Sequence, residues 1–153
     1  MTNGEGSRVF LDTNVLVFAN AAEAPLHNTA LRAIEDRYNS GVDLWVSRQV
    51  LREYLATFSR PQKFLNPRPI ATVVERIRYF QGRFRVAEDN HQITERLLIL
   101  MEQISIGGKQ VHDANIVATM LVHTIPTLLT NNTDDFKRFS HLITVLPLDA
   151  NGP

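Results

Sequence analysis

Five carboxylates in this chain stand in or beside apolar stretches that a folded core could bring together. Asp12 interrupts an apolar run formed by Val9, Phe10, Leu11, Val15, Leu16 and Val17. Asp113 shares a helical face with Val117 and Met120, and Asp134 and Asp135 follow the apolar stretch that ends at Thr130. Glu53 flanks a stripe carrying Val50, Leu51 and Tyr54. Carboxylates gathered at one place repel one another, and burial raises their pKa values unless a cation sits among them. The chain has no cysteine and none of its five histidines pairs with another at i, i+4. Hard oxygen donors alone favour Mg²⁺ or Mn²⁺ over zinc. Such an ion suits phosphodiester hydrolysis, where it neutralises phosphate, acidifies a water and steadies the leaving oxygen. Each acid also has a structural reading: Asp12 as a turn former, Asp113 or Asp134 as a helix N-cap, Glu53 as a surface residue.

The elements that must position these acids follow from periodicity. Arg8 to Phe18 is nearly continuous in β-type apolar residues and reads as a strand buried on both faces, with Asp12, Thr13 and Asn14 opening it onto a site. A helix is expected from Leu26 to Tyr38, stopped by Gly41, then a strand from Val42 to Val46 and a helix from Ser47 as N-cap to Pro61. Arg60 to Pro69 holds three prolines and reads as a loop. Helices over 70–80, 90–104 and 110–123, short strands over 84–87, 127–130 and 143–148, and a helical turn over 134–139 complete the pass. Strands alternating with helices predict an α/β protein, a parallel sheet covered on both faces with its site at the carboxyl ends of the strands.

With 153 residues and 44% hydrophobic positions the chain is long enough for one self-sufficient core. Residues 1–7 are expected to be a flexible N-terminus, 8–148 a single domain and 149–153 a tail. The absence of cysteine excludes disulfide scaffolds, thiolate metal sites and thiol nucleophiles. No apolar run reaches membrane-spanning length and the first residues are polar, so the expected location is cytoplasmic, with no membrane partner. Sixteen bases balance sixteen acids, yet residues 48–85 carry nine bases against two acids, a local charge of +7 offset by −7 elsewhere. A basic middle beside acidic flanks fits a protein that holds a polyanion next to a carboxylate site. It also fits an ordinary solvated helical surface.

Four segments together resemble the PIN-domain ribonucleases, in particular the VapC-like toxins of type II toxin–antitoxin modules. They are Val9-Phe10-Leu11-Asp12-Thr13-Asn14-Val15-Leu16, Ser47-Arg48-Gln49-Val50-Leu51-Arg52-Glu53-Tyr54, His112-Asp113-Ala114-Asn115-Ile116-Val117-Ala118 and Leu128-Leu129-Thr130-Asn131-Asn132-Thr133-Asp134-Asp135-Phe136. The resemblance runs from about residue 8 to residue 148. It implies a three-layer α/β/α sandwich with a central, mainly parallel sheet, and an endoribonuclease leaving a 3′-hydroxyl and a 5′-phosphate. It implies Asp12, Glu53 and Asp113 as ligands of Mg²⁺ or Mn²⁺ and, with Asp135, as the catalytic acids. Where many members carry an aspartate two residues after the Thr of the last motif this chain has Asn132, and Asp134 is a substitute without a firm counterpart. Asn14, Thr130 and Asn132 are expected to orient the acids or waters by hydrogen bonds. Arg48, Arg52, Arg60, Lys63 and Arg68 are the expected RNA contacts. A cognate antitoxin and a homodimer are further implications of the resemblance. His112 neighbours Asp113, but adjacent helical side chains diverge by about 100°, which turns it away from any metal. Trp45 is expected in the strand core.

Other readings use the same residues. A PIN-like module that binds RNA or protein without cutting is compatible with Asn132. A phospho-receiver domain needs an acidic pair at the end of its first strand, where Asp12 stands without an acidic partner. A haloacid-dehalogenase-like phosphatase needs a second aspartate two residues after its nucleophile, and that position holds Asn14.

Overall fold

The computed structural model describes residues 7–61 and 65–150. The expectations for residues 1–6 and 151–153 lie outside the described residues. Ser7 is joined to the sheet, its carbonyl accepting from the Asp43 amide at 3.0 Å.

Five parallel strands form one sheet in the order β3-β2-β1-β4-β5. They are β1 (Arg8–Leu11), β2 (Asp43–Ser47), β3 (Arg85–Ala87), β4 (Thr127–Leu129) and β5 (Thr144–Leu146). Between β1 and β2 lie α1 (Thr13–Ala19) and α2 (His27–Asn39), and between β2 and β3 lie α3 (Arg48–Phe58) and α4 (Ile70–Arg83). Between β3 and β4 lie α5 (His91–Gln103) and α6 (Gln110–Val122), and a 3-10 helix, Thr133–Phe139, precedes β5. Helix α1 packs on α2 and α3, α3 packs on α4, and α5 packs on α6. Right-handed crossovers running in opposite directions from β1 place these two sets on opposite faces of the sheet. The fold is therefore the expected α/β/α sandwich.

One expectation is corrected. The apolar run from Arg8 to Phe18 is not a single strand: it ends at Leu11, and Thr13 to Ala19 is helical. Asp12 makes the break. Its side chain accepts from the Thr13 amide and its carbonyl from the Val15 amide at 3.1 Å, which is the geometry of a helix N-cap. Val15, Leu16, Val17 and Ala19 are all buried, because α1 lies within the packed interior rather than over it. A short helix buried around most of its circumference has the same apolar pattern as a strand buried on both faces.

The other boundaries follow local chemistry. Ser47 caps α3 by accepting from the Val50 amide at 3.3 Å, and Asn90 caps α5 through the amides of Gln92 and Ile93. Helix α2 gives way at Gly41, whose φ of 86° is costly for any residue with a Cβ. The core is built on β1, where Val9, Phe10 and Leu11 are fully buried, as are Leu128 and Leu129 of β4. The sheet order reverses between β1 and β4. Such a switch point leaves a crevice beyond the strand carboxyl ends.

Candidate metal-assisted hydrolase site

Asp12 leaves the end of β1 at that crevice, with its amide bonded to the Leu129 carbonyl of β4 at 3.1 Å. The residue is only 6% exposed. Oδ1 accepts from the Thr13 amide at 2.8 Å, and Oδ2 accepts from Thr130 Oγ1 at 2.8 Å and from Asn14 Nδ2 at 3.1 Å. The Asn14 side chain also accepts from the Asn131 amide at 2.9 Å, and Thr130 Oγ1 accepts from the Asn132 amide at 3.0 Å. The loop after β4 is thus tied to the carboxylate. Burial pushes the Asp12 carboxyl above its ordinary value, against the pull of the Thr130, Thr13 and Asn14 hydrogen bonds.

Glu53, half-buried on α3, is oriented by Thr13 and Gln49, neither of which was expected to reach it. Thr13 Oγ1 donates to Oε1 at 2.5 Å and Gln49 Nε2 donates to Oε2 at 3.1 Å. Gln49 also donates to the His112 carbonyl at 2.9 Å and accepts from Asn115 Nδ2 at 2.9 Å, so it links α3 to α6 across the strand ends. One signal for Gln49 was available in the sequence: it stands four residues before Glu53 on the same helical face. Thr13 was expected at the opening of the strand onto the site, but alternation along a strand would turn it to the face opposite Asp12 and gave no reason to pair it with Glu53.

Asp113 enters from the first turn of α6, half-buried, with its pKa pushed up to about 6. Burial is the largest cause, followed by the negative charges of Asp12, Asp135 and Glu53, while His112 acts in the opposite direction. Asp12, Glu53, Asp113 and Asn132 line one cleft of about 360 Å³ together with Thr13, Asn14 and Thr57, and among the described residues no Lys or Arg lines it. Asp135 is exposed and outside that lining, yet near enough for its charge to act on Asp113. Asp134 is turned to solvent in an ion pair with Lys137 at 3.0 Å. Exposed His112 enters the site only through its carbonyl.

The donor set fits a hard divalent cation. Three carboxylates and two carboxamides line a cleft with no Lys or Arg among the described residues of its lining, and two of the carboxylates are driven up by lost hydration and mutual repulsion. Among the described residues no three of them converge tightly enough to make a finished cage.

The expected RNA contacts separate into two groups. Arg48 is bound to Glu88 at 2.6 Å and to Gln81 at 2.5 Å, and Arg68 is bound to Glu23 at 2.7 Å. Arg68 also lies 4.8 Å from the centre of the Phe58 ring, as part of the packing of the loop. Arg52 and Arg60 are exposed. Lys63 lies outside the described residues. Trp45 is a half-buried member of β2 with its ring centre 6.1 Å from that of His123.

The PIN domain family model matches residues 9–142, nearly the whole chain. This chain belongs to the PIN-domain family. No curated protein matches it by sequence. Among solved structures, the VapBC2 complex of Rickettsia felis, bound to a DNA fragment from its promoter, includes a chain 22% identical with a TM-score of 0.64, over 92% of this chain and 98% of that one. VapBC-1 of nontypeable Haemophilus influenzae gives 19% identity and a TM-score of 0.65, covering 94% and 99%. VapC20 of Mycobacterium tuberculosis, described as a sarcin-ricin loop cleaving toxin, gives 16% identity and a TM-score of 0.64, covering 89% and 96%. These likenesses establish a shared PIN fold along essentially full-length chains.

Proposed function

We propose that this PIN domain is a metal-dependent endoribonuclease that acts as the toxin of a toxin–antitoxin pair. One observation carries the reading: a buried Asp12 carboxylate, fixed by Thr13, Asn14 and Thr130, shares one cleft with Glu53 and Asp113. Supporting it are the PIN family match and a fold shared with proteins described as a cleaving toxin and as VapBC complexes. A cognate antitoxin, a homodimer and a cytoplasmic setting belong to the same proposal.

Asp12, Glu53 and Asp113 are the residues that would hold Mg²⁺ or Mn²⁺. The bound ion supplies neutralisation of the phosphate and activation of a water for in-line attack. The protein's own work is positional. Thr130, Asn14 and the Thr13 amide fix the Asp12 oxygens, while Thr13 Oγ1 and Gln49 fix those of Glu53, so neither carboxylate must be ordered when substrate arrives. Asn132 contributes a neutral amide at the rim, and Asp135 adds negative charge behind Asp113. Hydrolysis forms a bond from water oxygen to phosphorus and breaks the bond to the 3′ oxygen, which leaves with a proton as the hydroxyl.

A panel of structured RNAs incubated with Mn²⁺ tests this function. Wild-type protein should cut one or more of them and stop on addition of EDTA, and Asp113→Asn, still folded by circular dichroism, should cut none. Equal cleavage by Asp113→Asn, or cleavage that persists in EDTA, would contradict the proposal. A binding module that does not cut is the alternative favoured by Asn132, and it would retain RNA binding with no cleavage by the wild type.

A further inference from the structure

A second hollow, of about 260 Å³, opens between α2 and α4 and is unlike the acid cleft in both charge and shape. Its floor includes buried Ile34 and Phe80, and its rim carries Glu35 on one side and Arg76 and Arg83 on the other. Tyr79 belongs to its lining and is 45% exposed, and Tyr38, 42% exposed, lies outside the lining against Arg83. The Arg83 guanidinium carbon lies 3.9 Å from the centre of the Tyr38 ring and 5.6 Å from that of Tyr79, and the Arg76 guanidinium lies 4.9 Å from Tyr79. A guanidinium held against a ring keeps the N–H donors along its edge available for bidentate pairing with a phosphate. Among the described residues neither arginine is in an ion pair with a carboxylate, in contrast to Arg48 and Arg68.

The hollow also lies beside the acid cleft. Helix α1 walls both: Val17 and Phe18 line the cleft, and Ala19 and Asn20 line the hollow. From Asp12 to Asn20 the helical rise is about 12 Å, a span of a few nucleotides of extended strand. Glu35 on α2 repels a phosphate, which leaves Arg76 and Arg83 on α4 for the backbone and the exposed rings of Tyr79 and Tyr38 beside them for a base.

We propose that the α2–α4 groove is a subsite for unpaired RNA flanking the scissile bond, in which Arg76 and Arg83 grip a phosphodiester and Tyr38 and Tyr79 stack on a base. The occupant follows from charge and shape: guanidiniums free of carboxylates fit a polyanion, and exposed rings beside them fit bases that are not already stacked in a duplex. The subsite rests on the ribonuclease reading, and its test separates the two.

Fluorescence anisotropy of a labelled single-stranded RNA of about twelve nucleotides, in EDTA so that nothing is cut, measures binding apart from cleavage, and variants of the groove assign its share. Arg83→Gln and Tyr79→Ala should each weaken binding roughly tenfold, and Glu35→Gln should tighten it a few-fold. The same RNA annealed into a duplex should be insensitive to Tyr79→Ala. Asp12→Asn should bind single strands at least as well as wild type while losing Mn²⁺-dependent cleavage. Equal single-strand affinity for wild type, Arg83→Gln and Tyr79→Ala, with melting temperatures unchanged, overturns the subsite even where cleavage is intact. The same equality with altered self-association in sedimentation would assign the groove to a contact between copies, and also overturns it. Absence of Mn²⁺-dependent cleavage by wild type would sink the ribonuclease reading and leave the groove result standing, whereas cleavage that persists in Asp12→Asn would remove the acidic site from the mechanism.

Discussion

At the scale of single residues, the site is a set of carboxylates placed at an electrostatic cost. Asp113 is held near 6, well above the ordinary aspartate value, so in the metal-free protein the native state binds a proton that the unfolded chain has already released between about pH 4 and pH 6. Stability therefore falls as pH rises through that window, and the loss is complete above it. Asp113→Asn removes the charge at constant shape, so in EDTA it should raise the melting temperature at pH 7.5 by a few degrees, on the order of 1 kcal/mol after allowance for solvent screening. Thermal melts at pH 4.5, where the wild-type aspartate is protonated, should show the difference closing. A gap of the same size at both values would mean that Asp113 carries no unfavourable charge. The acids themselves could be read from the sequence because a carboxylate in an apolar run demands an explanation. Thr13 and Gln49 could not be read in the same way, since their importance lies in which Glu53 oxygen each one reaches. Thr13→Val and Gln49→Ala should each lower cleavage by about 10- to 100-fold. Because both hold one carboxylate, the double variant should lose less than the product of the two, which a double-mutant cycle on kcat/KM measures.

At the scale of elements, the junction of β1 and α1 explains most of what sequence reading got wrong. Periodicity cannot distinguish the buried helix at 15–17 from a continued strand, and the distinction depends on Asp12 using its side chain as a cap as well as a site group. Elements with ordinary capping residues, such as α3 behind Ser47, were legible at their starts. Ser47→Ala should cost about 1 kcal/mol of stability, visible in urea unfolding as a lowered midpoint with an unchanged slope. The basic segment was legible as charge but not as partnership. Arg68 fastens the loop before α4 to Glu23, whose carboxyl the guanidinium and the Asn66 amide hold down to about 2. Since the folded pKa is depressed, the contribution is present above about pH 4.5 and is lost as pH falls toward 2. Glu23→Gln should melt earlier than wild type at pH 7, by no more than about 1 kcal/mol for a pair this exposed, and the two should converge in acid. A constant difference down to pH 2.5 would assign the loss to packing instead.

At the scale of the whole molecule, alternating strands and helices were enough to anticipate a parallel α/β sandwich, and the order β3-β2-β1-β4-β5 adds why the site lies where it does. The chain moves outward from β1 in both directions, so the crevice opens between β1 and β4, and Asp12 and Thr130 are the residues that follow those two strands. Helices α3 and α6 then deliver Glu53 and Asp113 from opposite faces of the sheet, with Gln49 bridging them. Opposite-face delivery also means that the carboxylates meet only when the entire sandwich is formed. Isothermal titration of Mn²⁺ into the intact protein, beside Asp12→Asn at matched pH and salt, tests directly whether these carboxylates share a cation. Saturable binding by wild type that Asp12→Asn weakens at least about tenfold is the predicted result. Equal binding by the two proteins, or none by wild type, would contradict it.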